Sequence, residues 1–95
     1  MRVQFSPDFD KQFSTHLTNR QKALALEAID LFIDSPFHQD LRNHGLRKEW
    51  KGYRSLGIGG DFRLHFKMIS DDFAYFVAVG THSQLYKSPE IPKKA

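Results

Sequence analysis

The sequence contains no cysteine, so disulfide scaffolds, thiolate zinc sites and cysteine nucleophiles are excluded, and the chain suits a reducing cytoplasm. It has no apolar run near the roughly 18 residues that span a bilayer, and its first residues, MRVQFSPDFDK, lack the apolar stretch of a signal peptide. No membrane association is expected. Internal repeats and low-complexity tracts are also missing. So are the usual chemical signatures. Gly57, Gly59 and Gly60 sit in a strand and hairpin pattern and do not precede a helix, which excludes a phosphate loop. No serine lies in an elbow motif. The histidines form no close pair at helical spacing with carboxylates beside it, so no metal site is expected.

What is present is a folded composition. The 95 residues are 40% hydrophobic and 26% charged, with nine Phe, three Tyr and one Trp, enough for one small domain and too little for a two-domain cofactor enzyme. The net charge of +3 is unevenly spread. Residues 1–40 carry four basic and six acidic side chains, a net of −2, whereas residues 41–67 carry seven basic and two acidic ones, a net of +5. Such a segment suits either a polyanion partner or a solvated charged surface.

The patterning predicts an α+β domain. Arg2–Phe5 reads as a short strand; Ser6-Pro7 starts a helix, with Phe9, Phe13 and Leu17 as its apolar stripe. Thr18 with Gln21 forms a possible capping box for a second helix that Ser35-Pro36 stops, its inward face being Ala25, Leu26, Ile29, Phe32 and Ile33. This helical hairpin needs an apolar surface to cover.

From Tyr53 the period becomes two. Phe62, Leu64, Phe66 and Met68 alternate with Asp61, Arg63, His65 and Lys67, and Phe73–Val79 reads as a buried central strand. A three-residue turn, Gly59-Gly60-Asp61, pairs Ile58 with Phe62 and Leu56 with Leu64, so that the apolar sides agree. It also aligns Tyr53, Ser55 and Gly57 with Lys67, His65 and Arg63 on the face the helices leave open. The expected order is β-α-α-β-β-β with a short C-terminal helical turn, a two-helix hairpin on a small antiparallel sheet, with residues 88–95 as a short tail.

Five histidines supply candidate proton-transfer groups. His16 and His38 read as surface residues. His44 and His82 lie beside glycines in presumptive loops, and His65 falls on the exposed polar strand face. Trp50 suits either the core or a base-stacking role. A basic face with His, Arg, Lys, Tyr and Asp meets the needs of RNA self-cleavage by its 2′-hydroxyl: a base, an acid for the 5′-oxygen and cations for the phosphorane.

The run His44-Gly-Leu-Arg-Lys-Glu-Trp50-Lys51-Gly52-Tyr53-Arg54, then Ile58-Gly-Gly-Asp61-Phe62-Arg63-Leu64, and Gly80-Thr81-His82-Ser83-Gln84-Leu85-Tyr86 together resemble the YafQ-type branch of the RelE/ParE toxin superfamily, across nearly the whole chain. The resemblance implies a type II toxin, a cofactor-free and metal-independent endoribonuclease that enters the ribosomal A site and cuts mRNA. It assigns proton transfer to His44 and His82, with His82 as general acid. Asp61 matches the catalytic-site aspartate, Arg63 the phosphate-stabilising strand arginine and Tyr86 an aromatic near the scissile phosphate. Arg47, Lys48, Lys51, Arg54, Phe62, His65 and Lys67 are the expected RNA contacts, mostly to the backbone.

A cognate antitoxin with an acidic segment is also implied, and DNA would be reached only through it. The sequence departs from the pattern at Gly57, where the branch has a further histidine, and at Phe62, where it has Trp. The alternatives are a ParE-like gyrase inhibitor, or a catalytically weak member that serves mainly as the antitoxin's partner.

Overall fold

The structure, a computed structural model, describes residues 1–87; the expected tail lies outside the described residues. Strand β1 (Arg2–Phe5) leads into helix α1 (Pro7–His16), and α2 (Asn19–Asp34) follows. A short strand β2 (His44–Gly45) sits between two 3₁₀ turns, Gln39–Leu41 and Lys48–Trp50. Strands β3 (Arg54–Gly57), β4 (Phe62–Ser70) and β5 (Phe73–Thr81) form a meander, and α3 (His82–Lys87) follows it.

Both long helices start where the sequence places them. Ser6 Oγ accepts the Phe9 amide at 3.0 Å, satisfying one orphan donor, and Pro7 occupies the first turn, where it has no amide N–H to leave unpaired. The Thr18 hydroxyl accepts the Gln21 amide at 3.1 Å while the Gln21 side chain accepts the Thr18 amide at 2.8 Å, a reciprocal capping box.

The sheet has the order β1-β5-β4-β3-β2. The antiparallel meander is as expected, with Leu56 opposite Leu64 and Gly57 opposite Arg63. Around the turn, Ile58 donates its amide to the Phe62 carbonyl at 3.2 Å. Gly59 and Gly60 take positive φ of 106° and 54°, which their missing Cβ allows. Two features correct the expected antiparallel sheet. Strand β1 joins parallel to β5, Arg2 opposite Phe73 and Phe5 opposite Phe76, because the helical hairpin carries the chain over before β5 is reached. The short β2 adds an edge strand on β3, with His44 opposite Ser55.

The main core lies between the helices and one sheet face. Phe32 meets Phe66 and Phe76 edge-on at 4.9 and 5.5 Å between ring centroids, and Phe9 packs on Phe5 at 5.0 Å. On α2 the buried residues are Ala25, Ala28, Ile29 and Phe32. Leu26 and Ile33, expected inside, are 53% and 37% exposed. The stripe 25/28/29/32 follows i, i+3, i+4, i+7, and at about 100° per residue positions 26 and 33 fall roughly 60° and 40° beyond its edge at Ile29.

The opposite sheet face is not open. A second cluster of Trp50, Tyr53, Val77, Ala78 and Leu85, with Leu46, Tyr75 and Tyr86 at its rim, covers it. Trp50, 2% exposed, is therefore a core residue. The Lys48–Trp50 turn folds the indole down, helped by a positive φ of 56° at Lys48, and α3 contributes Leu85. In β5 the register slips by one between Phe76 and Ala78, a bulge that lets Val77 and Ala78 both join this cluster.

Candidate active site

Side chains directly opposite on neighbouring strands share a face about 4.5–5.5 Å apart, so the register assembles the site. One row runs His44, Ser55, His65, Ala78; the next runs Gly57, Arg63, Gly80. Both lie on the face away from the helices. His44 and His82 are not loop residues as expected. His44 lies on the edge strand β2, and His82 opens α3.

The start of α3 repeats the device seen at α2. Thr81 Oγ1 accepts the Gln84 amide at 3.1 Å and Gln84 Oε1 accepts the Thr81 amide at 2.9 Å. Gly80 leaves room for this cap, since a Cβ there would lie 2.8 Å from Gln84 Oε1 and the amide end would have to shift. The His82 amide donates to the Asp61 carbonyl at 3.2 Å, tying α3 to the β3–β4 turn. The exposed His82 imidazole stacks on Tyr86, 4.4 Å between centroids.

His44 is exposed, and its Nδ1 lies 2.8 Å from the Arg42 carbonyl. A carbonyl can only accept, so Nδ1 carries the proton and Nε2 of the neutral ring is left as a base. Arg63 is half-buried one register step from His65.

His65 departs most from expectation. It is 1% exposed, packed edge-on against Trp50 at 4.4 Å and near Tyr86 at 5.9 Å. Burial, together with the positive charges of Arg63, His44 and His82, pushes its pKa down to about 3. At neutral pH it is an uncharged wedge and cannot stand in as a general acid for an imidazole absent at Gly57. Alternation places it correctly on the second face, but the indole that covers that face comes from a non-local turn. Its Nδ1, with Trp50 Nε1, Tyr53 Oη and Ser55 Oγ, finds no hydrogen-bond partner among the described residues.

Tyr86 has its phenol pKa raised by burial and by Glu49, against a lowering influence from Arg63, so it remains a neutral donor. Among the described residues no three His, Asp or Glu side chains close into a metal-binding set.

The other expected RNA contacts divide. Arg47, Lys48 and Lys51 are exposed around the Trp50 turn. Lys67 lies on the site face but sits over the Tyr53 ring at 5.6 Å. Arg54 and Phe62 are not brought to the site. Arg54 pairs with Phe66 on the helix side, donates Nε to Asn43 Oδ1 at 2.8 Å and lies over Phe37. Phe62 packs on the main core.

With this geometry in hand, the family described as bacterial toxin of type II toxin-antitoxin system, YafQ, matches residues 1–87. The chain belongs to the YafQ family. The YafQ of Escherichia coli BL21(DE3) superposes with a TM-score of 0.76 at 24% identity, covering 90% of this chain and 99% of that one. YafQ from the E. coli DinJ-YafQ toxin-antitoxin complex gives 0.73 at 23%, covering 88% and 94%. A chain of the Staphylococcus aureus YoeB-YefM complex gives 0.67 at 16%, covering 86% and 97%. No curated relative matches by sequence.

The YafQ match spans every site residue from His44 to Tyr86. This YafQ-family chain also recruits groups the sequence reading passes over: Arg42, whose carbonyl orients His44, and Gln84, which caps α3. The Thr81-x-x-Gln84 spacing equals that of Thr18-x-x-Gln21 and was the available signal; Arg42 had none beyond its place in the basic segment.

Proposed function

We propose that this toxin is an endoribonuclease that cleaves mRNA in the ribosomal A site by internal attack of the 2′-hydroxyl, using histidine and arginine in place of a metal. One observation carries the reading. The sheet register sets His44 and Arg63 on the face that holds buried His65, and His82 stacks on the Tyr86 ring that packs near the same imidazole, so the three required roles can be filled on one face.

His44 Nε2 accepts the 2′-OH proton as O2′ bonds to phosphorus. Arg63 stabilises the phosphorane oxygens. Protonated His82 gives its proton to the departing 5′-oxygen as the P–O5′ bond breaks. The products are a 2′,3′-cyclic phosphate and a 5′-hydroxyl end, and atoms and charge balance without a co-reactant. Asp61 holds the His82 end through its carbonyl, and Tyr86 supports the ring by stacking. Arg47, Lys48 and Lys51 hold RNA backbone without reading its sequence.

The partner is a cognate antitoxin with an acidic segment suited to the 41–67 surface; the DinJ-YafQ and YoeB-YefM complexes support such a pairing. Any DNA contact would come through that antitoxin. Expressing the toxin and mapping mRNA 5′ ends on ribosomes tests the reading. New ends within A-site codons are expected; growth arrest with intact messages, above all with gyrase inhibition, would sink it.

A further inference from the structure

We propose that Arg42 and Arg63 form a two-arginine anion site over Gly57 that takes the non-bridging oxygens of the scissile phosphodiester; its substrate, though not the site itself, rests on the ribonuclease reading. Arg42 carries no role in the resemblance.

Gly57 lies in the middle of the site face, opposite Arg63. A Cβ built on it would lie 3.4 Å from Arg63 Nη1, 3.6 Å from Arg42 Cδ and 3.8 Å from Arg42 Cβ. The Arg63 guanidinium, from β4, and the aliphatic stem of Arg42, from the corner before β2, thus close over a backbone stripped of its side chain, and the Arg42 guanidinium begins one bond beyond that Cδ. The space where the family resemblance expects an imidazole is taken by arginine.

Three further observations point the same way. First, among the described residues neither arginine has a carboxylate partner; the salt bridge found there is His38 with Asp40. Like charges brought together without a counter-charge repel, and an arriving phosphate relieves this while offering the oxygens that guanidinium forks match.

Second, Arg42 is held at a positive φ of 50°, a conformation costing a non-glycine residue roughly 1–3 kcal/mol and often found where function demands it. Its amide donates to the Gln39 carbonyl at 3.2 Å. Third, the Arg42 carbonyl is the acceptor that fixes His44, so one corner sets both the base and a cation at the phosphate. A guanidinium in place of an imidazole supplies charge without proton transfer, which leaves acid and base work to His82 and His44.

The test uses the whole toxin and inorganic phosphate as probe, followed by the Gly57 amide resonance. Arg42→Asn removes the charge but keeps a residue tolerant of positive φ, and Arg42→Lys keeps charge without the fork. Saturable phosphate binding at Gly57 is expected in the wild type, weakened about ten-fold in Arg42→Asn and by roughly two- to three-fold in Arg42→Lys. On mRNA-programmed ribosomes, Arg42→Asn should lower kcat by about ten-fold or more with KM changed less than about three-fold.

Arg42-dependent phosphate binding in a wild type that cuts no RNA would keep the anion site and remove the ribonuclease reading. A wild type that cuts RNA but binds phosphate no better than Arg42→Asn, or loses no rate on that change, would overturn the site alone.

Discussion

The His82 imidazole lies on the Tyr86 ring with centroids 4.4 Å apart and planes inclined by 30°. The two residues are one helical turn apart on α3, so the phenol ring sets the angle of the imidazole. His82→Ala is expected to lower cleavage by about 10²–10⁴-fold and, because His82 is exposed, to leave stability within roughly 0.5 kcal/mol of wild type. Tyr86→Phe retains the stack and most of the rate; Tyr86→Ala should lose about ten-fold. Single-turnover cleavage alongside thermal melts separates the two effects.

Stability should decline in acid through His65. Its folded pKa of about 3 lies below the ordinary value near 6.5, so the unfolded chain takes up the proton more readily. The stabilising contribution is complete above pH ~6.5 and is lost progressively as the pH falls toward ~3, amounting to about 2 kcal/mol by pH 5. Urea titrations at pH 7 and pH 5 measure this. His65→Leu should shrink the difference; an unchanged difference would place the acid sensitivity elsewhere.

Gly80 and Gln84 should behave as a coupled pair. Gly80→Ala pushes the Gln84 amide off the Thr81 cap, and Gln84→Ala removes it outright, each costing about 1 kcal/mol. In the double variant the second loss has already been taken, so its destabilisation should fall short of the sum of the two single losses by roughly 0.5–1 kcal/mol. Strict additivity by chemical denaturation would contradict the cap.

The two sides of α2 offer a direct comparison. Phe32 is fully buried between Phe66 and Phe76, and Phe32→Ala should cost about 3–5 kcal/mol. Leu26→Ala, on the exposed edge, should cost roughly 0.5 kcal/mol or less. Equal losses would mean that the helix is rotated from the face described.

How much could be read beforehand varied with how local the determinant was. The Ser6-Pro7 and Thr18-Gln21 starts were legible because capping involves residues three apart. The β3–β4 register was legible because only one turn length puts Leu56 beside Leu64. His65 was placed on the right face but given the wrong environment, since nothing within ten residues announces that Trp50 will lie across it. The parallel pairing of β1 was equally hidden: a four-residue strand carries no mark of its partner. Of the site, His44, Arg63, His82 and Tyr86 fall on one face as their motifs suggest. Arg54 was named for RNA by the resemblance although the alternation that puts Tyr53, Ser55 and Gly57 on the site face already turns it to the helix side, and Arg42 was missed because its contribution comes from a backbone corner.

The pairing of β1 with β5 has a consequence for when the sheet can be completed. Its first strand has no partner until residues some seventy positions later have been made, and α3, with His82, comes later still. Closing so long a loop is slow and cannot begin early. The two sheet faces can therefore be completed only after β5 and α3 have been made, so a chain cut short anywhere before residue 73 leaves β1 unpaired and carries no His82.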